Sequence, residues 1–251
     1  QLLYTLQLYA EFSGCMDIVR GSAQMFGVTL SDNFNQPFIS KTVSEFWRRW
    51  HMTLGSWFKD YVFYSVSLSK PFVKLSKKTR EHMNTFFATF VPMSIAMFIV
   101  WFGTGIWHGA SWKYVMYGLY YWGIMILGLL TEPLFKKMFD AMRVNRHGRI
   151  YRSLQVVRTF LFVNVGMLMF RADDLTVFGH MFTSMFKNFS FDPVITGSLM
   201  TVRIDMADFI VLVAGALILL VVGIYREQGH HLREELAEKN IVLRWAVYYV
   251  L

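Results

Sequence analysis

The sequence predicts an all-α protein, a polytopic transmembrane helical bundle, from three observations. Of the 251 residues, 55% are hydrophobic and only 17% are charged, and the mean hydropathy is +0.36, whereas soluble domains are roughly 45–50% apolar and about 25% charged. The apolar residues form long unbroken runs instead of the periodic stripe of a surface helix. The basic residues lie in short blocks between these runs, which is typical of the cytoplasmic ends of membrane helices.

Each predicted span rests on the length of an apolar run, because a helix needs roughly 20 mostly apolar residues to cross about 30 Å of hydrocarbon. The clearest run, residues 83–107, contains no charged residue. Residues 2–27 are interrupted by three charges, so this segment should face protein or a water-filled cavity. The other predicted spans are residues 114–131, 153–170 and 209–225, and a last one that begins near Ile241.

The segments between the spans predict the orientation. Basic residues dominate in residues 68–82 and 131–152, so both are predicted to be cytoplasmic loops. Residues 171–206 carry more acidic than basic side chains and are predicted to be an outer loop. Alternation of the spans then puts residues 103–109 near the outer face.

We expect residues 1–251 to form a single membrane-embedded domain in a multi-pass protein of the cell (plasma or inner) membrane. Apolar segments run into both ends, which predicts a piece of a longer polytopic protein, truncated at both ends. A net charge of +8 would also suit nucleic acid, but the block pattern favours the lipid bilayer as partner and no nucleic acid. The single cysteine, Cys15, excludes an internal disulfide and a multi-cysteine metal cluster, and we expect no metal site.

Residues 29–64 change character and predict an interfacial or re-entrant segment, which survives at membrane depth only when it packs in protein or lines a cavity. Asn33, Asn35 and Pro37 disfavour helix at its start. A set of apolar residues then recurs at spacings of three and four, which predicts one shared helical face. These residues are Phe46, Trp50, Leu54, Trp57 and Tyr61.

His108 is the first candidate for chemistry, because it lies at the end of a long apolar span between Gly105 and Gly109. Burying an imidazole there is unfavourable without a partner or a cavity, so an ionisable residue in such a place is a functional hypothesis. The glycines allow another backbone or a substrate to approach closely. The alternative is a helix-end histidine bonded to a neighbouring backbone carbonyl.

Four further polar residues have both a structural and a functional interpretation. His51 is either an interfacial histidine held by aromatic residues or a second functional histidine. Arg48 and Arg49 are either anchors to lipid phosphate or ligands for the phosphate of a bound molecule such as phosphopantetheine or coenzyme A. Asp60 either forms an ion pair with Lys59 or Arg80, which is the simpler role, or accepts a hydrogen bond that fixes a histidine tautomer.

Four runs in this chain closely resemble the membrane-bound O-acyltransferase (MBOAT) family, in the bacterial branch of alginate O-acetylases and D-alanyl-teichoic-acid transferases. They are residues 33–38 (NFNQPF), 45–52 (EFWRRWHM), 57–61 (WFKDY) and 105–109 (GIWHG). Residues 12–14 (FSG) with Asp17, and residues 170–173 (FRAD), lean toward the alginate O-acetylases. Lys59 stands where arginine is commoner, which keeps the charge but loses the bidentate fork.

The resemblance implies re-entrant or interfacial helices around a central tunnel, with His108 as catalytic histidine and His51 as second functional histidine, and it implies that the family's amino-terminal helices are missing from this chain. An activated thioester donor needs only a base at the acceptor hydroxyl, so we expect His108 to be the general base. No bound cofactor is expected; the co-substrate is an acyl thioester, either acetyl-CoA or the phosphopantetheine of an acyl carrier protein, on the cytoplasmic side. The acceptor is a hydroxyl of an exported polysaccharide, reached directly or through a relay protein, and D-alanyl transfer to teichoic acid is the alternative. The predicted substrate- and donor-binding residues are Trp47, Arg48, Arg49, Trp50, Asp60 and Trp107.

Proteins of other classes also hold membrane histidines. A transporter with a proton relay would show inverted repeats and paired broken helices, which the sequence lacks. A haem carrier using His51 and His108 as axial ligands needs both at matching depth, whereas the sequence predicts His51 near the inner interface and His108 toward the outer one. In a non-catalytic helical scaffold the dense motif residues would be accidental.

Overall fold

The computed structural model describes residues 1–187, 190, 192 and 205–250. Within these residues, regular structure is helical apart from one antiparallel bridge between Phe34 and Trp50. The chain divides into two compact units, Gln1–Phe189 and Ser190–Leu251. The all-α class is therefore confirmed.

The first unit contains the helices that bear the predicted motifs. They are α1 (Leu2–Met25), α2 (Val43–Arg49), α3 (Met52–Trp57), α4 (Tyr64–Ser67), α5 (Lys70–His82), α6 (Thr85–His108), α7 (Trp112–Ala141), α8 (Arg149–Arg171) and α9 (Leu175–Lys187). A short 3₁₀ turn, Pro37–Ile39, precedes α2, and a π-helical stretch, Phe58–Phe63, joins α3 to α4. The second unit contains α10 (Met206–Glu227), α11 (Leu232–Ala237) and α12 (Ile241–Val250).

In the described part of the chain, α6, α7, α8 and α10 are long and apolar enough to cross a membrane. These helices contain the predicted spans 83–107 (from Thr85 onward), 114–131, 153–170 and 209–225. Large apolar side chains such as Phe102 and Ile106 stand exposed on α6, as expected for a lipid-facing surface. The polytopic bundle is thus confirmed. Helix α1, predicted as a weaker span because charges interrupt it, is not among these helices, and neither is α12, where the last span was predicted to begin.

Helices α6 and α7 approach each other closely because glycines lie at their contact. A Cβ added at Gly105 would lie 2.5 Å from the carbonyl oxygen of Tyr114, and one added at Gly118 would collide with the carbonyl of Trp101. Small residues allow such backbone contact between membrane helices. This packing places the end of α6, and with it His108, against the start of α7.

Buried hydrogen bonds tie α8 to the helices on either side. The Tyr121 hydroxyl on α7 donates to the carbonyl of Val163 at 3.2 Å, and the ring lies where a Cβ on Gly166 would be. Thr5 on α1 donates its hydroxyl to the Oδ1 atom of Asn164 on α8 at 2.8 Å. Satisfied polar groups of this kind fix the neighbours of a helix where water is absent.

Three predicted loops are wrong in part. Residues 68–82 contain helix α5, α7 continues through the basic residues to Ala141, and residues 171–206 contain α9, with residues 188, 189, 191 and 193–204 outside the described residues. In α5 the exposed Lys70, Lys74, Lys77 and Lys78 recur at helical spacing, and the buried Thr79 donates its hydroxyl to the carbonyl of Ala88 at 3.1 Å. A high charge density therefore marked amphipathic helix in α5 instead of loop.

The predicted single helical face of residues 46–61 is also wrong, because the helix breaks between α2 and α3. Trp50 is extended and pairs with Phe34, and His51 has φ +48. As a result Phe46 and Trp50 are buried while Trp57 and Tyr61 are 49% and 67% exposed. The pairing partner lies sixteen residues earlier, so helical periodicity alone does not reveal it.

Candidate active site

Two histidines from different elements line one cavity of about 740 Å³ in the first unit. His51 is the residue before α3, and His108 is the last residue of α6. The indole of Trp107 has its centroid 6.3 Å from that of the His51 ring and 4.9 Å from that of the His108 ring. The structure therefore brings both predicted catalytic residues and Trp107 to the same space.

This arrangement corrects the expectation that His51 and His108 lie at different depths, since both imidazoles contact one indole. Difference in depth therefore no longer counts against axial ligation of haem. A Soret band in the visible spectrum of the purified protein would support that alternative, and its absence would remove it.

His108 is held by ring contacts instead of hydrogen bonds. Its half-buried imidazole is surrounded by aromatic rings and has no hydrogen-bond partner among the residues that the structure describes. The predicted alternative of a bond to a neighbouring backbone carbonyl is therefore not observed in this part of the chain. Centroid distances from the imidazole are 4.9 Å to Trp107, 5.2 Å to Phe170, 5.7 Å to Tyr117 and 6.1 Å to Tyr114.

A glycine after His108 permits this placement. Gly109 has φ +147, a conformation that other residues rarely adopt. A Cβ there would lie 2.9 Å from the Cε2 atom of Tyr114. The chain thus turns sharply after the imidazole and returns as α7, whose Tyr114 and Tyr117 pack against the same ring.

His51 is held by hydrogen bonds. Its Nδ1 lies 3.1 Å from the Oδ1 atom of Asn33, which also accepts from the Thr53 hydroxyl at 2.6 Å and the Thr53 backbone N–H at 3.3 Å. Its ring stands edge-on to Phe12, with centroids 4.7 Å apart. Burial lowers the pKa of His51 below its ordinary value of 6.5, because a buried imidazole is disfavoured in its charged form. His51 is therefore neutral at pH 7.

The two arginines predicted to bind the donor have different surroundings. Arg48 lines the cavity, is exposed, and donates to the Ser44 hydroxyl at 3.0 Å. Arg49 is paired with Glu45 at 2.7 Å and does not line the cavity. Its guanidinium pairs with Glu45 within α2 and donates, at 3.4 Å, to the carbonyl of Asn35 in the preceding chain, so the structure does not bring Arg49 to the cavity with Arg48.

Asp60 is not brought to either histidine. Its carboxylate lies 3.8 Å from the ammonium of Lys59 and is exposed, which agrees with the simpler predicted role and corrects the one in which it fixes a tautomer. Lys59 itself lines the cavity. Its ammonium is the second cation at this cavity after Arg48.

Trp47 in α2 and Trp50 just after it have different surroundings. Trp47 is half-buried, lines the cavity and packs edge-on against Trp101 at 5.2 Å and Tyr121 at 4.8 Å. Trp50 also reaches the cavity but is buried and stacks on Phe46, with centroids 5.4 Å apart. Trp50 is therefore chiefly part of the aromatic core beneath the site.

Sequence reasoning did not identify several residues of the site. Asn33 was noted only as a helix breaker and as part of the motif run 33–38, and its hydrogen bond to His51 was not predicted, although a buried asparagine needs hydrogen-bond partners. Tyr117 and Phe170 lie on α7 and α8 and reach His108 only through helix packing. In the described part of the chain, no group of three or more histidine, cysteine or acidic side chains is arranged to hold a metal ion.

No family model matches the chain, but individual proteins do. It is 34% identical over 186 residues to "Probable alginate O-acetylase AlgI" of Pseudomonas aeruginosa, which is 74% of this chain and 30% of that protein. It is 34% identical over 167 residues to the teichoic acid D-alanyltransferase of Bacillus subtilis, covering 66% of this chain and 39% of that protein. It is 30% identical over 174 residues to the peptidoglycan O-acetyltransferase of Helicobacter pylori, covering 69% of this chain and 28% of that protein.

The chain covers less than two fifths of the length of each of these relatives. Their names describe acyl transfer in each case, to alginate, teichoic acid or peptidoglycan. Over 66% to 74% of its length the chain is thus homologous to acyltransferases of the membrane-bound O-acyltransferase type, and the resemblance predicted from its motifs is confirmed.

Proposed function

We propose that the protein containing this chain moves an acyl group, in the first place acetyl, from a thioester donor to a hydroxyl of a cell-surface polysaccharide, with His108 as general base. The observation that carries the proposal is the imidazole of His108, whose nitrogens have no hydrogen-bond partner in the described residues although the ring lines a cavity large enough for substrate groups. A cavity of this size lies within the usual range for small-molecule sites. The proposed setting is the cell membrane.

The reaction needs a base but no covalent nucleophile, because a thioester is already activated. His108 takes the proton of the acceptor hydroxyl as the new C–O bond forms and the C–S bond breaks, and the imidazolium then returns the proton to the leaving thiolate. General-base catalysis by a positioned imidazole contributes roughly 10²–10⁴-fold to the rate. The C–O bond that forms replaces the C–S bond that breaks, and the proton of the hydroxyl ends on the released thiol.

The surroundings of His108 suit this role. The rings of Trp107, Tyr117 and Phe170 pack nearly perpendicular to the imidazole, and in this proposal they limit the water that competes for the proton. An unprotonated imidazole surrounded by aromatic rings can accept a proton, and no neighbouring carboxylate in the described structure favours its cationic form.

The donor site rests on Arg48 and Lys59, which both line the cavity. Guanidinium and ammonium groups are suited to phosphate oxygens, and the donors under consideration, coenzyme A and the phosphopantetheine of a carrier protein, both bear phosphate. The donor enters from the cytoplasmic side in this proposal, and the acceptor, or a relay protein that carries the acyl group onward, is on the outside.

Relatives favour the polysaccharide acceptor, since the alginate O-acetylases match 186 residues and the B. subtilis teichoic acid D-alanyltransferase matches 167. D-Alanyl transfer to teichoic acid is therefore the second candidate. Membranes supplied with labelled acetyl-CoA or with labelled D-alanyl carrier protein distinguish the two, because only the true donor leaves label on the surface polymer.

The base is tested by His108→Ala in the full-length protein, with purified enzyme in detergent and labelled donor. We expect transfer to fall by about 10²–10⁴-fold without loss of membrane insertion. His147→Ala is the matched control, since His147 is exposed and its loss should leave transfer unchanged. Near-normal turnover in the folded His108→Ala protein would rule out the assignment.

A further inference from the structure

We infer that Asn33 is a positioning residue for His51: its carboxamide oxygen holds the ring in the Nδ1–H tautomer, so that Nε2 is left as a hydrogen-bond acceptor for a substrate O–H or N–H in the cavity. This inference rests on the proposed function only for its effect on transfer. The tautomer itself is a property of the protein alone.

Three contacts identify the tautomer. The Thr53 backbone N–H can only donate, and it lies 3.3 Å from the Oδ1 atom of Asn33. The Thr53 hydroxyl lies 2.6 Å from the same atom. These contacts orient the carboxamide with its oxygen toward Thr53 and His51, and a carboxamide oxygen only accepts. The Nδ1 atom of His51, 3.1 Å away, must therefore carry the proton, and a neutral ring then has its lone pair on Nε2.

The backbone keeps Asn33 opposite His51. The Met52 N–H donates to the Asn33 carbonyl at 3.0 Å, and the Asn35 N–H donates to the Arg49 carbonyl at 2.9 Å, on either side of the bridge between Phe34 and Trp50. Asn33 is only 5% exposed. Its side-chain oxygen is thus delivered to one place by main-chain pairing, and removal of the amide would leave the imidazole edge without its acceptor.

The backbone conformation of His51 also indicates that the surrounding structure fixes its position. His51 has φ +48 and ψ 53, a left-handed conformation that is uncommon outside glycine. Residues held in such conformations cluster at functional sites, where the surrounding structure maintains them. Here the hydrogen bond to Asn33 and the edge contact with Phe12 fix the ring against the cavity.

A structural role for the buried asparagine alone would make different predictions. Asn164 provides the matched case, because it is 6% exposed and its Oδ1 accepts from the Thr5 hydroxyl at 2.8 Å. Asn164→Ala removes a buried asparagine–threonine hydrogen bond from the same unit without removing a histidine contact. The effects of Asn164→Ala on the His51 tautomer and on transfer therefore show what the loss of a buried hydrogen bond does through destabilisation alone.

The tautomer is read directly by NMR of protein labelled with ¹⁵N-histidine, with the His51 signals assigned by their loss in His51→Gln. We expect a protonated Nδ1 and an unprotonated Nε2 at pH 7.5 in the wild type and in Asn164→Ala, and a mixture of tautomers in Asn33→Ala. A protonated Nε2 in the wild type, or an unchanged tautomer in Asn33→Ala, would overturn the inference.

Transfer measurements then test the consequence. We expect Asn33→Ala to lower kcat/KM by at least about tenfold, and Thr53→Val to lower it less, whereas Thr53→Ser restores it by keeping the hydroxyl. Unaltered transfer in an Asn33→Ala protein with a changed tautomer would refute the role of Nε2 toward substrate. If the wild type transfers no acyl group, the proposed function fails while the tautomer result still decides whether Asn33 positions His51.

Discussion

The two histidines of the cavity are held by different physical means. His51 is anchored by a hydrogen bond to Asn33 in a strained backbone turn, while His108 ends a long helix, packs against aromatic rings and has no side-chain hydrogen bond in the described structure. A hydrogen bond to a neutral oxygen selects one tautomer, whereas ring contacts leave both nitrogens open to protonation. Under the proposed function, this difference suits His51 to keep its proton in place and His108 to exchange a proton.

The largest expected difference is between the transfer rates of His108→Gln and His51→Gln. Glutamine supplies hydrogen-bonding groups but does not accept a proton at neutral pH, so transfer should fall by about 10²–10⁴-fold in His108→Gln. It should fall by only about tenfold in His51→Gln, in which an acceptor remains. Single-turnover rates with labelled donor are the measurement. Equal losses in the two variants would mean that both histidines act in proton transfer.

The packing that presents His108 is tested at the contact between α6 and α7. Gly118→Ala should destabilise the protein by about 1–3 kcal/mol, because the added methyl meets the carbonyl of Trp101. Gly123→Ala lies on the same helix with no atom within 4 Å of the new Cβ, so it should be neutral or slightly stabilising. Apparent Tm values in detergent report both changes. Similar melting of the two variants would show that close helix approach does not hold His108.

Arg48 and Arg49 are adjacent in the sequence, and their variants distinguish a donor-binding role from a structural one. Arg48→Ala should raise the donor KM by about tenfold, since a charge-assisted contact to phosphate is lost. Arg49→Ala should leave the donor KM unchanged and reduce stability, because Glu45 loses its charged partner and keeps only the Lys41 backbone N–H as a hydrogen-bond donor in the described structure. Steady-state kinetics over a range of donor concentrations, together with melting curves, measure both. A raised donor KM in Arg49→Ala would return that residue to the donor site.

The smallest expected effect concerns acid stability. Burial lowers the folded-state pKa of His51 below that of the unfolded chain, about 6.5. The unfolded state therefore binds more protons as the pH falls through 6.5, and the folded state loses stability in that direction. His51→Gln should show a smaller drop in apparent Tm between pH 7.5 and pH 5 than the wild type. An identical drop would place the titrating group elsewhere.

The sequence predicts some parts of this molecule well for a physical reason. A charge-free run long enough to cross the bilayer has few alternatives to a spanning helix, so α6 and α10 could be located from composition alone. His108 could be singled out because an imidazole at the end of such a run requires an explanation. The motif resemblance then added the reaction class.

Other parts depend on tertiary pairing that periodicity does not contain. The break at Trp50 and His51 follows from pairing with Phe34, and the role of Asn33 follows from the same pairing. The sequence alone could not distinguish the roles of Arg48 and Arg49; the structure does so by showing that Arg49 forms an ion pair with Glu45. Charge was also a poor guide to loops, because in α5 the lysines occupy one side of a helix.

The π-helical stretch Phe58–Phe63 places a constraint on chain length in this part of the site. Each π turn takes in about one residue more than an α turn, so an α-helical path between α3 and α4 would need one residue fewer. Removal of a single residue here would restore ordinary pitch and leave α3 and α4 in nearly the same rotation, but it would change the directions in which the side chains between them emerge. Phe58 and Lys59 line the cavity from this stretch, so its length, and not residue identity alone, determines which side chains it presents there.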